Sequence, residues 1–120
     1  LQDSSAASDV YKRQPLNDWN VSNVKDMGFM FFKCYKFNQP LNNWDVSNVK
    51  IMEGIFSDCF NFNQDISNWD VSNVELMSWM FERCYKFNQP INNWNVSKVE
   101  DIEDIFEDCN ILEEYKPNFN

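Results

Sequence analysis

Between positions 48 and 60 the apolar residues fall at Val49, Met52, Ile55, Phe56 and Cys59. Spacings of three and four place such residues on one face of a helix. The same pattern recurs along the chain and predicts helices near 23–35, 48–60, 73–85 and 98–110. Just upstream, Trp44 and Val46 flank a polar residue, the period of two that suits a short strand. Ser22, Ser47, Ser72 and Ser97 stand where a helix N-cap belongs. Ser72 with Glu75, and Ser97 with Glu100, add the reciprocal capping partner. Pro15, Pro40 and Pro90 fall in the connection to the next strand, where a missing N–H does least harm.

These patterns recur without gaps in four 25-residue units, 14–38, 39–63, 64–88 and 89–113. Trp19, Trp44, Trp69 and Trp94 form one column, Phe31, Phe56, Phe81 and Phe106 another, and Cys34, Cys59, Cys84 and Cys109 a third. A single strand and short helix cannot bury their apolar faces alone, whereas stacked copies can. Parallel strands pair at about 4.8 Å and helices pack at about 8–10 Å, so the stack should curve into a horseshoe segment. The expected fold class is therefore α/β: a right-handed, leucine-rich-repeat-like solenoid with one short parallel strand and one short helix per unit. Residues 1–13 share nothing clear with the units and read as a non-native or disordered leader. Residues 114–120 read as a C-terminal tail or cap, and the chain as a fragment of a longer protein.

The run Phe37-Asn-Gln-Pro-Leu-Asn-Asn-Trp-Asp-Val-Ser-Asn-Val49 closely resembles the BspA-like leucine-rich repeat surface proteins, formerly a domain of unknown function. The likeness covers residues 14–113. It implies a repeat array on a surface or secreted protein, with a role in adhesion or protein–protein contact and no catalytic residues. Unit 4 departs from the pattern, since Asn110-Ile111-Leu112 replaces the aromatic joint and no Gln-Pro follows.

Composition narrows the chemistry. The chain has a net charge of −9, which makes nucleic acid and anionic membrane poor partners. It contains no His, the commonest general base and zinc ligand. No apolar stretch is long enough to span a bilayer. The four Cys recur at one position per unit. On stacked helices their Cα atoms would lie about 8–10 Å apart, beyond the roughly 7 Å a disulfide tolerates. With no close Cys pair in the sequence, they read as buried free thiols. The Trp and Met columns read as core, because Trp44 and Val46 point the same way and Ile102 replaces Met in the last unit.

The remaining candidates are outward columns. Asp18, Asn43, Asn68 and Asn93 form one, and Asn20, Asp45, Asp70 and Asn95 a second. Asp45 and Asp70 at strand spacing would repel, and could hold a weakly bound cation or a cationic partner. Asn38, Asn63 and Asn88 suit side-chain bonds that tie loop backbone. The acidic run Glu100, Asp101, Glu103, Asp104, Glu107 and Asp108 lacks the order and central Gly of a calcium loop, and suits a solvated array end. Phe29 and Trp79 share an outward column in which the other units carry Gly54 and Asp104, which marks them as contact points. The expected function is a protein-binding or adhesion module with no cofactor and no metal. The alternative is an architectural spacer or capping segment without a ligand. No targeting signal is visible, and the surface or secreted location rests on the family likeness.

Overall fold

In the computed structural model, which describes residues 15–120, turns dominate. The reason lies in what each apolar pair does. In a β-turn the first and fourth residues approach within about 7 Å while the middle two project away. Here the N–H of Trp44 bonds the carbonyl of Leu41, Val49 that of Val46, Ile55 that of Met52, Cys59 that of Phe56 and Phe62 that of Cys59. Every one of these residues is buried. The same pairs recur 25 positions on, from Ile66–Trp69 to Cys84–Phe87. An apolar spacing of three is thus the closing pair of a turn.

The expected helices at 23–35, 48–60, 73–85 and 98–110 do not form. Among the described residues the only helical elements are two single 3-10 turns, Leu16–Asp18 and Glu113–Tyr115. Two backbone features exclude an α-helix in the second half of each unit. Phe29, Gly54, Trp79 and Asp104 take φ of 58°, 59°, 60° and 52°, and Lys33, Asp58, Arg83 and Asp108 take 63°, 61°, 55° and 56°. These are the third positions of turns such as 27–30 and 31–34, where a type II turn requires positive φ. The N–H groups also leave the segment. Those of Met52, Gly54, Phe56 and Asp58 donate to the carbonyls of Leu76, Ser78, Met80 and Glu82, and the same ladder joins residues 27–33 to 51–57 and 77–83 to 101–107. A left-handed residue other than Gly costs about 1–2 kcal/mol. The ladder bonds donated by Phe29, Lys33, Asp58, Trp79 and Arg83 offset that cost.

The expected strand around the Trp is absent as well. The parallel bridges are isolated and lie in the other half of the unit, at Asp26–Ile51, Ile51–Leu76 and Leu76–Asp101. The α/β, leucine-rich-repeat-like strand–helix solenoid is therefore overturned. With no helix layer, the spacing mismatch that would bend the chain into a horseshoe disappears too. Equivalent rings instead lie at similar distances throughout: 5.8 Å for Phe31–Phe56 and Phe37–Phe62, and 6.4 Å for Trp44–Trp69. We call the set of residues that meets its equivalents 25 positions on a layer.

The serines also change role. They donate rather than accept: the N–H and Oγ–H of Ser47 both reach Asp45 Oδ1, at 3.0 and 2.6 Å. Ser22 and Ser72 do the same to Asn20 and Asp70. The side chains of Trp44, Trp69 and Trp94 each sit over a turn of the preceding layer. The indole N–H of Trp69 donates to Leu41 O at 2.9 Å and that of Trp94 to Ile66 O at 3.1 Å. Trp19 Nε1 is buried without such an acceptor among the described residues.

Cys34, Cys59 and Cys84 are buried and Cys109 is half-buried, and no disulfide joins them among the described residues. The helix-spacing argument against disulfides no longer holds, since the layers are closer than helices pack. Hydrogen bonding to carbonyls engages these thiols instead, Cys109 the most loosely, to Phe87 O at 3.8 Å. Cys59 Sγ–H donates to Phe31 O at 3.0 Å and Cys84 Sγ–H to Phe56 O at 2.9 Å. At the C-terminal end Tyr115 and Phe119 pack on the core, and Tyr115 O accepts the N–H of Ile91. The leader assigned to residues 1–13 lies outside the described residues.

Candidate functional site

Each outward column can be judged by what its side chains already do. Asn20, Asp45, Asp70 and Asn95 are exposed, but each accepts the N–H of the Ser two residues on. The Ser47 hydroxyl, followed by the Ser47 N–H, holds the Asp45 carboxyl below its usual value, and Ser72 does the same for Asp70. The nearby Asp45 charge opposes this shift at Asp70 only weakly. The two carboxylates stay ionised side by side because each is bonded to its own turn. Among the described residues no group of three or more Cys, Asp or Glu is placed to hold a metal ion.

The second polar column is used in part to join layers. Asn68 Nδ2 donates to Asn42 O at 2.7 Å and Asn93 Nδ2 to Ser67 O at 3.0 Å, while Asn43 N–H reaches Asn17 Oδ1 at 2.8 Å. Asp18 is exposed at the end of the first 3-10 turn. The joint asparagines act as the sequence suggested. Asn38 Oδ1 accepts the N–H of Asn63, and Asn63 Oδ1 that of Asn88.

Phe29 and Trp79 are different. Phe29 is 41% exposed, Trp79 is half-buried, and their ring centroids are 6.4 Å apart across the layer between them. Gly54 makes this possible, because a Cβ there would run into the Phe29 ring. Phe32 meets Phe29 edge-on at 5.6 Å, and Lys33 Nζ sits 5.1 Å over the Phe32 ring. The positive φ of Phe29 and Trp79 lifts both rings outward from their turns.

A neighbouring aromatic column escaped the sequence reading. Tyr35, Phe60 and Tyr85 stack at 4.8 and 5.0 Å, and both tyrosines are more than 40% exposed, at 46% and 43%. The signal was available one position after each Cys, where three of the four units carry an aromatic residue. The rings cover one another and leave mainly their edges and phenol groups to solvent. Lys33 lies against the Phe32 ring beside Phe29, and Lys36 and Lys86 each follow a tyrosine of the second column in sequence, on an otherwise acidic chain. Such rings can bind by contact, through ring burial and cation–π pairing.

Neither the search of curated proteins nor that of solved structures gave a match. A family model matches residues 2–119, and the chain belongs to that family, described as Mycoplasma protein of unknown function, DUF285.

Proposed function

We propose that the chain is a protein-binding or adhesion module whose contact surface is the aromatic face centred on Phe29 and Trp79. The observation that carries this reading is the pair itself. Two large rings are held outward at left-handed positions, with Gly54 kept bare between them. Large, rigid aromatics flanked by cations are the residues that contribute most at protein interfaces. The outward polar columns play a lesser part, because many of their groups are committed to turns and layer joints. Display on a cell surface or secretion follows from the likeness of residues 37–49 to BspA-like surface repeats. No catalytic step, cofactor or metal belongs to this function.

The test uses beads carrying the chain, offered a panel of purified extracellular-matrix and plasma proteins. A Phe29→Ser/Trp79→Ser variant is run beside it, after circular dichroism and urea unfolding show that it still folds. Capture of at least one protein, weakened about tenfold or more in the variant, supports the reading. Absence of capture favours the spacer, and equal capture by both chains overturns the aromatic face as the contact surface.

A further inference from the structure

The cysteines occupy equivalent places in successive layers, so each thiol has a neighbour one layer away. That neighbour is close. The N–H of Arg83 donates to Glu107 O at 2.8 Å, so two layers run side by side immediately before Cys84 and Cys109. Backbones paired in this way lie about 4.8 Å apart. The Phe81 and Phe106 rings, stacked at 5.7 Å, show the same close approach at this junction. A disulfide needs Cα atoms roughly 4.4–6.8 Å apart. Spacing alone therefore admits a bond between neighbouring layers, and burial and thiol direction choose where.

Cys59 and Cys84 are at 0% exposure, and each thiol is held by a carbonyl 28 positions back, Phe31 O and Phe56 O. Cys109 departs from this. It is half-buried, and its Sγ lies 3.8 Å from Phe87 O rather than turning to Phe81 O. The N–H of Phe87 bonds Cys84 O, so Phe87 closes the turn that Cys84 opens. The Cys109 thiol is thus aimed at the Cys84 turn and only loosely held there. Its layer is also the less tightly packed: Val99 and Phe106 are partly buried, whereas Val74 and Phe81 are at 0%. Such a layer can give the small approach that brings two stacked Cβ atoms to the separation of about 3.8 Å found in disulfides. Lys116 Nζ sits 5.2 Å over the ring of Phe106, whose carbonyl takes the Cys109 N–H. A cation so placed favours the Cys109 thiolate, the form that reacts.

We propose that Cys84 and Cys109 form a disulfide when the folded chain meets a small-molecule disulfide such as oxidised glutathione, and that this bond staples the last layer to the array. The Cys109 thiolate attacks one sulfur of the oxidant, forms a mixed disulfide and releases a glutathione thiolate. The Cys84 sulfur then attacks the Cys109 sulfur, and its proton passes to the second departing glutathione. The two cysteines lose two electrons, and the oxidant gains them as two glutathione thiols. The second step is intramolecular, so Cys84 needs no direct contact with the oxidant.

Incubation of the folded 120-residue chain with oxidised glutathione at mildly alkaline pH tests this. Remaining thiols are then alkylated in denaturant and the digest is read by mass spectrometry. The chain should become lighter by two hydrogens and yield a Cys84–Cys109 cross-linked peptide, with Cys59 still open to alkylation. In a Cys84→Ala variant the glutathione should stay on Cys109. The bond joins residues 25 positions apart and restricts the opened chain, so exchange of the N–H groups of residues 100–109 should slow about tenfold or more. A lasting glutathione adduct on Cys109 of the parent chain, a bond from Cys59 instead, no oxidation of the folded chain, or unchanged exchange would each overturn the proposal.

Discussion

The indole N–H of Trp44 donates to the carbonyl oxygen of Leu16 at 2.7 Å, and that oxygen also takes the N–H of Trp19. One carbonyl so closes a turn in its own layer and anchors the Trp of the next. Trp19 Nε1 is buried and has no such acceptor among the described residues. Trp44→Phe should cost about 1–3 kcal/mol, from a lost buried hydrogen bond and the space left by the smaller ring. Trp19→Phe deletes a donor with no acceptor among the described residues, and should cost less than about 1 kcal/mol. Urea unfolding of both variants measures the difference. Equal losses would mean that the indole bond contributes nothing.

Thiol reactivity should divide the four cysteines. Burial pushes the Cys59, Cys84 and Cys109 thiols up, and the Ile111 backbone N–H, followed by the Lys116 charge, pulls the Cys109 thiol back toward its ordinary value. Cys59 and Cys84 also spend their protons on carbonyls. A mild alkylating agent at neutral pH should modify Cys109 first, with Cys59 and Cys84 reacting only as the chain unfolds. Mass spectrometry of the time course reads the order. Early labelling of Cys59 would contradict the packing.

Much of the core was legible, while its backbone was not. Met52, Ile55, Phe56 and Cys59 were assigned inward, and all four are buried. The error was to read their spacing as helical. A helix and a chain of turns both bring residues three apart to one side, and composition does not separate them when the middle positions are polar in both. The distinguishing feature was Gly54, at a position filled elsewhere by Phe29, Trp79 and Asp104. One Gly among non-glycine residues gives no sequence sign of a left-handed column, because the ladder bonds that sustain it join residues 24 apart. Phe29 and Trp79 were placed outward for a helical reason, and the turn geometry puts them outward for another. Tyr35, Phe60 and Tyr85 stand one position past the buried Cys column, where the apolar spacing gives no direction.

Acid should loosen the turns. The hydroxyl and N–H of Ser47, Ser67 and Ser72 hold the Asp45, Asp65 and Asp70 carboxyls below the usual aspartate value of 3.8. A carboxyl lowered on folding contributes stability above its unfolded pKa and loses it as pH falls through the folded one. Stability should therefore decline below about pH 4. Asn20 makes the same turn with Ser22 without a titrating group. An Asp45→Asn/Asp65→Asn/Asp70→Asn variant should keep the fold and show a flatter acid limb in unfolding experiments between neutral and acid pH. An unchanged limb would assign acid sensitivity to other groups.

The central claim is that the second half of each unit is a run of turns with left-handed residues and not a helix, and Gly54 tests it most directly. In a helix, Gly54→Ala would stabilise by about 1 kcal/mol. Here the φ of 59° makes alanine strained, and its Cβ would also strike the Phe29 ring. The clash is removed by working in a Phe29→Ala background, which leaves the backbone effect alone. The measurement is the change in unfolding free energy on adding Gly54→Ala to Phe29→Ala. The turn structure predicts a loss of about 1–2 kcal/mol. A gain of about 1 kcal/mol would contradict it and restore the helix.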